Sequence, residues 1–349
     1  MSRGYRMKKD LWSYLQTVKK PIVLYGMGNG ADKIIAVLKD YNIDISGVFA
    51  TDGFVREKYF HGFKLSSYSE LKEKFGEMTV LLAFGSSRPE VLGNIKRISA
   101  EQELYAPDVP VYGGGLFNRE YALNNKNALE SVYSCLADEK SRETFECIIQ
   151  YKLSGRLDYL YQCEVRADEP YDTFLKLSDN ESYIDLGAYT GDTAADFISR
   201  VKGYNSITAL EPDKKSFKKL TCNTESLNNF KAINACVSDK SGTEAFAMRG
   251  GRNSSLGGGE KIRCVTVDEI ATAGATFIKA DVEGGEKSAI AGAKNTILNY
   301  KPKLQLACYH RNEDLFALPK AVEDIRKDYK LYIRHLPFVP AWDTNFYFV

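Results

Sequence analysis

A short apolar run that breaks into a glycine-bearing turn and then into a helix constrains this chain more than any other stretch. It is YIDLGAYTGDT, Tyr183 to Thr193. Tyr183, Ile184 and Leu186 read as a buried strand. Gly187 and Gly191 allow the backbone to turn tightly beside a ligand, and a helix from about Thr193 aims its free N–H groups at that turn. Such a strand–turn–helix unit belongs in a parallel α/β sheet, and its turn predicts a pocket for an adenosyl or phosphoryl ligand.

A second strand narrows the ligand. SITALEPD ends in Glu211, which follows Asp185 by 26 residues, the spacing at which a carboxylate reaches the ribose hydroxyls of a bound nucleoside. Asp185 and Asp192 flank the glycines and would repel a pyrophosphate. A cationic, phosphate-free nucleoside fits better. S-adenosylmethionine is such a ligand, since its sulfonium and amino groups are positive and its sugar offers two hydroxyls to Glu211.

The chain has 349 residues, enough for two or three domains. A hydrophobic share of 44% and a charged share of 27% are those of a globular protein, and no apolar run reaches membrane-spanning length. A net charge of +1 gives no reason to expect binding to nucleic acid or to an anionic membrane. The opening MSRGYRMKKDLW has basic residues with no apolar core behind them, so no secretory signal is expected. The seven cysteines contain no CxxC pair, and their odd number argues against a disulfide framework and for a reducing cytoplasm. Cys222, Cys236 and Cys308 read as small buried hydrophobes.

Three regions follow along the chain. Residues 1–115 repeat the strand, glycine turn, helix, strand order: PIVLYGMGNG, a helix through Leu38, and DISGVFATD ending near Asp52. TVLLAFGSS, a helix after Pro89 and VPVYGGG as a last strand complete a Rossmann-like α/β domain. Residues 116–180 read as a helical connector whose Leu136, Phe145, Ile148, Ile149, Leu153 and Leu157 face a neighbouring domain. Residues 181–349 alternate strands and helices, the strands being YIDLGAY, SITALEP, KAINACVSD, TFIKADVEG, KLQLACYH, KLYIRHL and TNFYFV. The insertion from Ser241 to Ile270 interrupts them and reads as a hairpin with a glycine-rich loop near the site.

In order, IDLGAYTGDT, ALEPD, and FIKADVEGGE followed by KPKLQLACYH resemble the FkbM-type S-adenosylmethionine-dependent methyltransferases, over about Tyr183 to Val349. The resemblance implies a class I fold, a seven-stranded Rossmann-like sheet whose last strand is antiparallel, and O-methylation of a sugar or secondary metabolite. ADEKSRETFECIIQYKLSG resembles the segment before the catalytic domain in longer members. Carried onto this chain, the resemblance puts Asp185, Gly187, Ala188, Tyr189, Thr190 and Gly191, with Asp192 beside them, around the methionine part and ribose. Glu211 would be the ribose-binding acid, with Pro212 and Asp213 leading toward adenine and Val237 and Ser238 at its edge. Asp281 and Glu283 would lie near the methionine end and the acceptor. Where the family often reads RHH, this chain has Arg334, His335 and Leu336, a departure that puts a histidine cluster there in question.

Methyl transfer is an in-line displacement, so the protein must align the reactants and remove the acceptor's proton. Of the three histidines, His61, His310 and His335, the last two fall in the C-terminal region. His310, at the end of a strand, is the expected base, with Asp281 or Glu283 orienting it or serving instead. Asp281, Glu283, His310 and Asn312 could also meet as ligands for magnesium or calcium, but the metal-free reading is preferred. Gly26, Gly28 and Gly30 with Asp52 form a weaker glycine turn, read as a degenerate Rossmann unit for packing or dimerisation rather than a nucleotide site. Two other readings stay open. One is an NAD-dependent sugar-nucleotide dehydrogenase or epimerase, and the other is a scaffold that retains the fold. The partner of the leading reading is a small-molecule or glycan acceptor, bound where the Arg249 to Glu260 loop, the connector and the Pro337 to Trp342 region meet.

Overall fold

A computed structural model describes residues 9–51, 58–247, 255–256 and 260–349. Asp52 and most of the Arg249 to Glu260 loop lie outside them.

Six short strands build the first sheet: β1 (Ile22–Tyr25), β2 (Gly47–Ala50), β3 (Tyr59–Phe60), β4 (Phe63–Ser67), β5 (Thr79–Leu82) and β6 (Glu103–Tyr105). Their order is β3-β4-β2-β1-β5-β6, parallel except for the β3–β4 pair. β1 and β5 are buried at every position, as the unbroken runs IVLY and TVLL require of strands covered on both faces. Gly30 opens the helix Asn29–Asp40 at a point where a Cβ would lie 2.3 Å from the Ala83 carbonyl oxygen. That glycine lets helix and strand pack closely. VPVYGGG is not a strand. Pro110 has no N–H for a ladder, and Lys33 Nζ instead ties down the Pro110 and Val111 carbonyls at 2.7 and 2.8 Å. The last strand is β6, a few residues earlier.

Helices Arg119–Asn124, Lys126–Cys135, Glu139–Ser154 and Leu157–Cys163 follow. Asp138 caps the longest by accepting from Ser141 N at 2.7 Å, and Gly155 ends it in the left-handed conformation. Phe145, Ile148 and Leu153 on that helix join one continuous apolar cluster with Val23 and Val80 of the first sheet and Ile184, Leu306 and Phe346 of the second. Burying each such side chain contributes about 1.5–3 kcal/mol. Arg334 reinforces the seam: it is 1% exposed and donates to Asp138, Ser141 and Glu169.

The second sheet holds β7 (Ser182–Leu186), β8 (Ser206–Leu210) and β9 (Phe230–Ile233), then β14 (Phe277–Ala280), β15 (Lys303–Ala307), β16 (Leu331–His335) and β17 (Thr344–Phe348). Between them in sequence come β10 (Cys236–Val237), β11 (Gly242–Ala247), β12 (Ser255–Leu256) and β13 (Glu260–Val265), a separate four-stranded sheet. The seven-stranded order is β16-β17-β15-β14-β7-β8-β9, with β17 antiparallel to both neighbours. This is the class I methyltransferase-like arrangement that the resemblance implied. From β7 the chain runs outward to β8 and β9 and returns to the other side as β14, so a crevice opens at the carboxyl ends of β7 and β14.

Two expectations need correction. KAINACVSD is two strands, not one, because the chain leaves the main sheet after Ile233, where Asn234 Nδ2 donates to the Glu211 and Pro212 carbonyls. Cys236 is not a free small hydrophobe but the partner of Cys264. They are register partners on β10 and β13 and form a disulfide, so the cysteine count no longer argues for a reducing compartment. The pairing was hidden because 28 residues separate the two in sequence. Among the described residues, no helix is long and apolar enough to cross a membrane.

Candidate functional site

A cavity of about 690 Å³ occupies the crevice above β7 and β14. Its floor is made by the turn after β7 and the turn after β14. Gly187, at φ +85°, lies where a Cβ would be 2.0 Å from the Asp281 carbonyl oxygen, so only glycine lets the two turns close on each other. Gly187 N and Ala188 N both donate to the Leu210 carbonyl, which fixes the turn against β8. Three non-glycine residues with positive φ, Tyr189, Glu283 and Asp343, line this cavity. Backbone held in that region concentrates at ligand sites, where the surrounding structure over-determines it.

Glu211 is 7% exposed and is held by two backbone donors, Tyr189 N to Oε2 and Asp213 N to Oε1, each at 2.8 Å. Burial pushes its pKa up to about 7 against the pull of those donors. Each oxygen retains a lone pair, as a carboxylate receiving the two hydroxyls of a ribose requires. Pro212 and Val237 continue this wall, and Asp192 lies near the first turn of the helix Asp192–Arg200.

Several expected site residues stand behind the wall. Asp185 is fully buried, accepts from the Thr193 hydroxyl and lies 3.5 Å from Lys279 Nζ. Burial works against the charge of Lys279, but Asp185, Asp281 and Asp192 outweigh it and hold the ammonium above its usual range. The acidic face turned to a ligand is therefore Asp192, Asp281 and Glu283, and Asp185 serves to anchor Lys279. Ala188 and Gly191 pack under the turn, and the Thr190 carbonyl accepts from Asn223. Asp213 caps the helix Lys214–Thr224, and Ser238 donates to Glu244.

His310 departs most from expectation. It is fully buried and is not part of the cavity wall. Nε2 lies 3.4 Å from Asp281 and 3.6 Å from Glu283, and Nδ1 lies 2.8 Å from Glu286. Burial disfavours its charge, yet Glu286, Asp281 and Glu283 push its pKa up to about 10. A sealed ring already protonated at neutral pH cannot take a proton from an acceptor in the cavity. His335 is also fully buried, bonded to Thr344 Oγ1 at 3.0 Å, and burial lowers its pKa to about 3. It is a neutral structural histidine.

The far wall comes from regions that the motifs did not indicate. Tyr112 lies against Gly284, with Arg311 stacked on its ring at 4.2 Å and donating to the Gly284 carbonyl at 2.9 Å. Trp342 and Phe338 pack on Gly85, and Tyr309 donates to Asp281 at 3.1 Å. Arg200, paired with Asp196 and Asp168, closes one side. Of this wall, the sequence indicates only the Pro337 to Trp342 region, which supplies Phe338 and Trp342.

Residues 185–331 match the family model of the methyltransferase FkbM domain. Over these residues the chain is similar to that family. The matched span holds the first turn, Glu211, the Asp281–Glu286 turn and His310. The chain is also similar in fold to methyltransferase FkbM from Methylobacillus flagellatus KT, at 21% identity over 95% of this chain and 90% of that one, with a TM-score of 0.72. The coverage extends the likeness through the first sheet and the connector. Aeropyrum pernix fibrillarin, in complex with S-adenosyl-L-methionine, aligns with 49% of this chain and 67% of its own at 16% identity and a TM-score of 0.32. An rRNA methylase from Streptococcus thermophilus aligns with 49% of this chain and 87% of its own at 12% identity and a TM-score of 0.33. No curated protein matches the sequence significantly.

Proposed function

We propose that the protein methylates a hydroxyl group of a sugar, glycan or small metabolite with S-adenosylmethionine as donor, leaving S-adenosylhomocysteine. The observation that carries this reading is Glu211, a buried carboxylate held by two backbone donors at the edge of the cavity, with Asp192, Asp281 and Glu283 supplying negative charge farther along the floor. A cationic nucleoside suits that order of charges. When bound, S-adenosylmethionine supplies a methyl group already activated by a positive sulfur.

The residues then divide the work. Gly187 and Tyr189 form the turn under the cofactor, Glu211 takes the ribose hydroxyls, and Pro212 and Val237 flank the adenine. Asp281 and Glu283 face the cavity, and one of them takes the acceptor's proton in place of the sealed His310. Tyr112, Phe338 and Trp342 enclose the acceptor and exclude water. Flat aromatic walls beside carboxylates suit a ligand with both apolar faces and hydroxyls, as sugars have.

Calorimetry with S-adenosylmethionine tests the donor, and detection of S-adenosylhomocysteine across a panel of glycosides and hydroxylated metabolites tests the reaction. Absence of binding at millimolar cofactor would overturn the reading. Binding without product on any acceptor would favour a scaffold.

A further inference from the structure

Behind the floor of the cavity, Asp281, Glu286 and His310 each bring one ligand atom within 4.8 Å of the others. Glu286 and His310 are fully buried, while Asp281 reaches the cavity. Their polar atoms are poorly matched to one another. Nδ1 of His310 is close to Glu286 Oε1 but too oblique for a hydrogen bond, and Nε2 is too far from Asp281 for a good one. Neither ring nitrogen has a hydrogen-bond partner among the described residues, nor does Glu286 Oε2. Buried polar atoms are satisfied in more than about nine cases of ten, so a buried ion pair without hydrogen-bond geometry beside a bare Glu286 oxygen needs a reason.

We propose that Asp281, Glu286 and His310 bind one divalent transition-metal ion at the floor of the cavity. An imidazolium would neutralise one carboxylate and leave Glu286 Oε2 bare, whereas an ion that displaces the ring's proton takes electron pairs from oxygen and nitrogen together. One imidazole and two carboxylates form a borderline-to-hard donor set, suited to manganese(II), iron(II) or zinc(II) rather than to soft ions. The cluster is also braced from outside, as metal ligands usually are. Glu286 Oε1 accepts from Val282 N at 2.9 Å, and Asp281 Oδ1 accepts from the Tyr309 hydroxyl. The role of the ion rests on the methyl-transfer reading. There it would hold the acceptor oxygen and lower its proton affinity, leaving Glu283, outside the triad, to take the proton.

The test is manganese(II) binding to chelator-treated full-length protein, followed by calorimetry and by loss of the free-ion electron paramagnetic resonance signal. One ion per chain is expected, with affinity lowered about tenfold or more by Asp281→Asn and by Glu286→Gln. The surface variant Glu323→Gln should bind as the unmodified protein does. Circular dichroism confirms that each variant folds. Because Glu286 also holds the turn, Asp281→Asn is the decisive variant, and stoichiometry on the unmodified protein stands without either. No binding at millimolar manganese, or binding that folded Asp281→Asn leaves unchanged, would overturn the site. The ion is read without turnover, so failure of the cofactor to bind would defeat the methyl-transfer reading alone.

Discussion

Tyr189 donates its backbone N–H to Glu211 Oε2 at 2.8 Å, linking the turn after β7 to the acid that ends β8. This bond holds the two halves of the cofactor wall in one piece, and it ties the protonation of Glu211 to the shape of the site. Burial raises the Glu211 pKa from 4.5 to about 7, so the folded protein binds this proton more tightly than the unfolded chain. The resulting stabilisation is fully present below pH 4.5 and is lost as pH rises through 7. Without cofactor, the unmodified protein should lose up to roughly 3 kcal/mol across that window relative to Glu211→Gln. Paired denaturant titrations at several pH values measure the difference, and parallel curves would refute the shift. Cofactor affinity should move the other way, rising with pH until Glu211 is ionised, because ribose hydroxyls donate to the carboxylate.

Glu283→Gln should lower kcat by about a hundredfold or more, since the amide cannot accept the acceptor's proton. Its cofactor affinity should stay within a few-fold of the unmodified protein, because Glu211 and the first turn are untouched. Equal losses in both would assign Glu283 to cofactor binding instead.

Gly187→Ala brings a Cβ to 2.0 Å from the Asp281 carbonyl and forces a side chain into positive φ. A loss of about 2 kcal/mol or more in stability is expected, together with loss of cofactor binding. Thermal melting with and without S-adenosylmethionine checks both effects.

Gly85 and Trp342 meet across the two sheets, and a Cβ on Gly85 would lie 2.5 Å from the indole. Gly85→Ala should cost about 1–3 kcal/mol by overpacking, and adding Trp342→Leu should recover part of it. A double-mutant cycle in urea measures the coupling. Additive losses would mean that the seam does not depend on this contact.

Reduction of the Cys236–Cys264 bond opens a loop spanning 28 residues and should lower stability by roughly 3–4 kcal/mol. Cys236 and Val237 line the cavity, so cofactor affinity should fall as well. Melting curves with and without reductant, with Cys236→Ser as control, test this.

The fold was legible to the extent that it is written in local patterns. Runs such as IVLY, TVLL and KLQLA state their burial directly, and Gly187 states its turn, because strand period and positive φ are properties of neighbouring residues. VPVYGGG and KAINACVSD misled for the same reason. Their apolar alternation is that of a strand, but Lys33 claims the carbonyls of one and Asn234 turns the other out of the sheet.

The amino-acid sequence by itself determined the two strand–turn–helix units, the acid at Glu211 and the acidic turn at Asp281 and Glu283. These depend on contacts between residues close in the chain or on spacings set by one βα repeat. Only the tertiary structure decided the charge balance and the walls of the site. Asp185 is matched by Lys279, 94 residues away, and His310 is enclosed by carboxylates that make it cationic. Tyr112, Gly85 and Trp342 reach the cavity only because one core joins both sheets. The electrostatic field and the packing at a point depend on what folding brings there, and no local pattern records that.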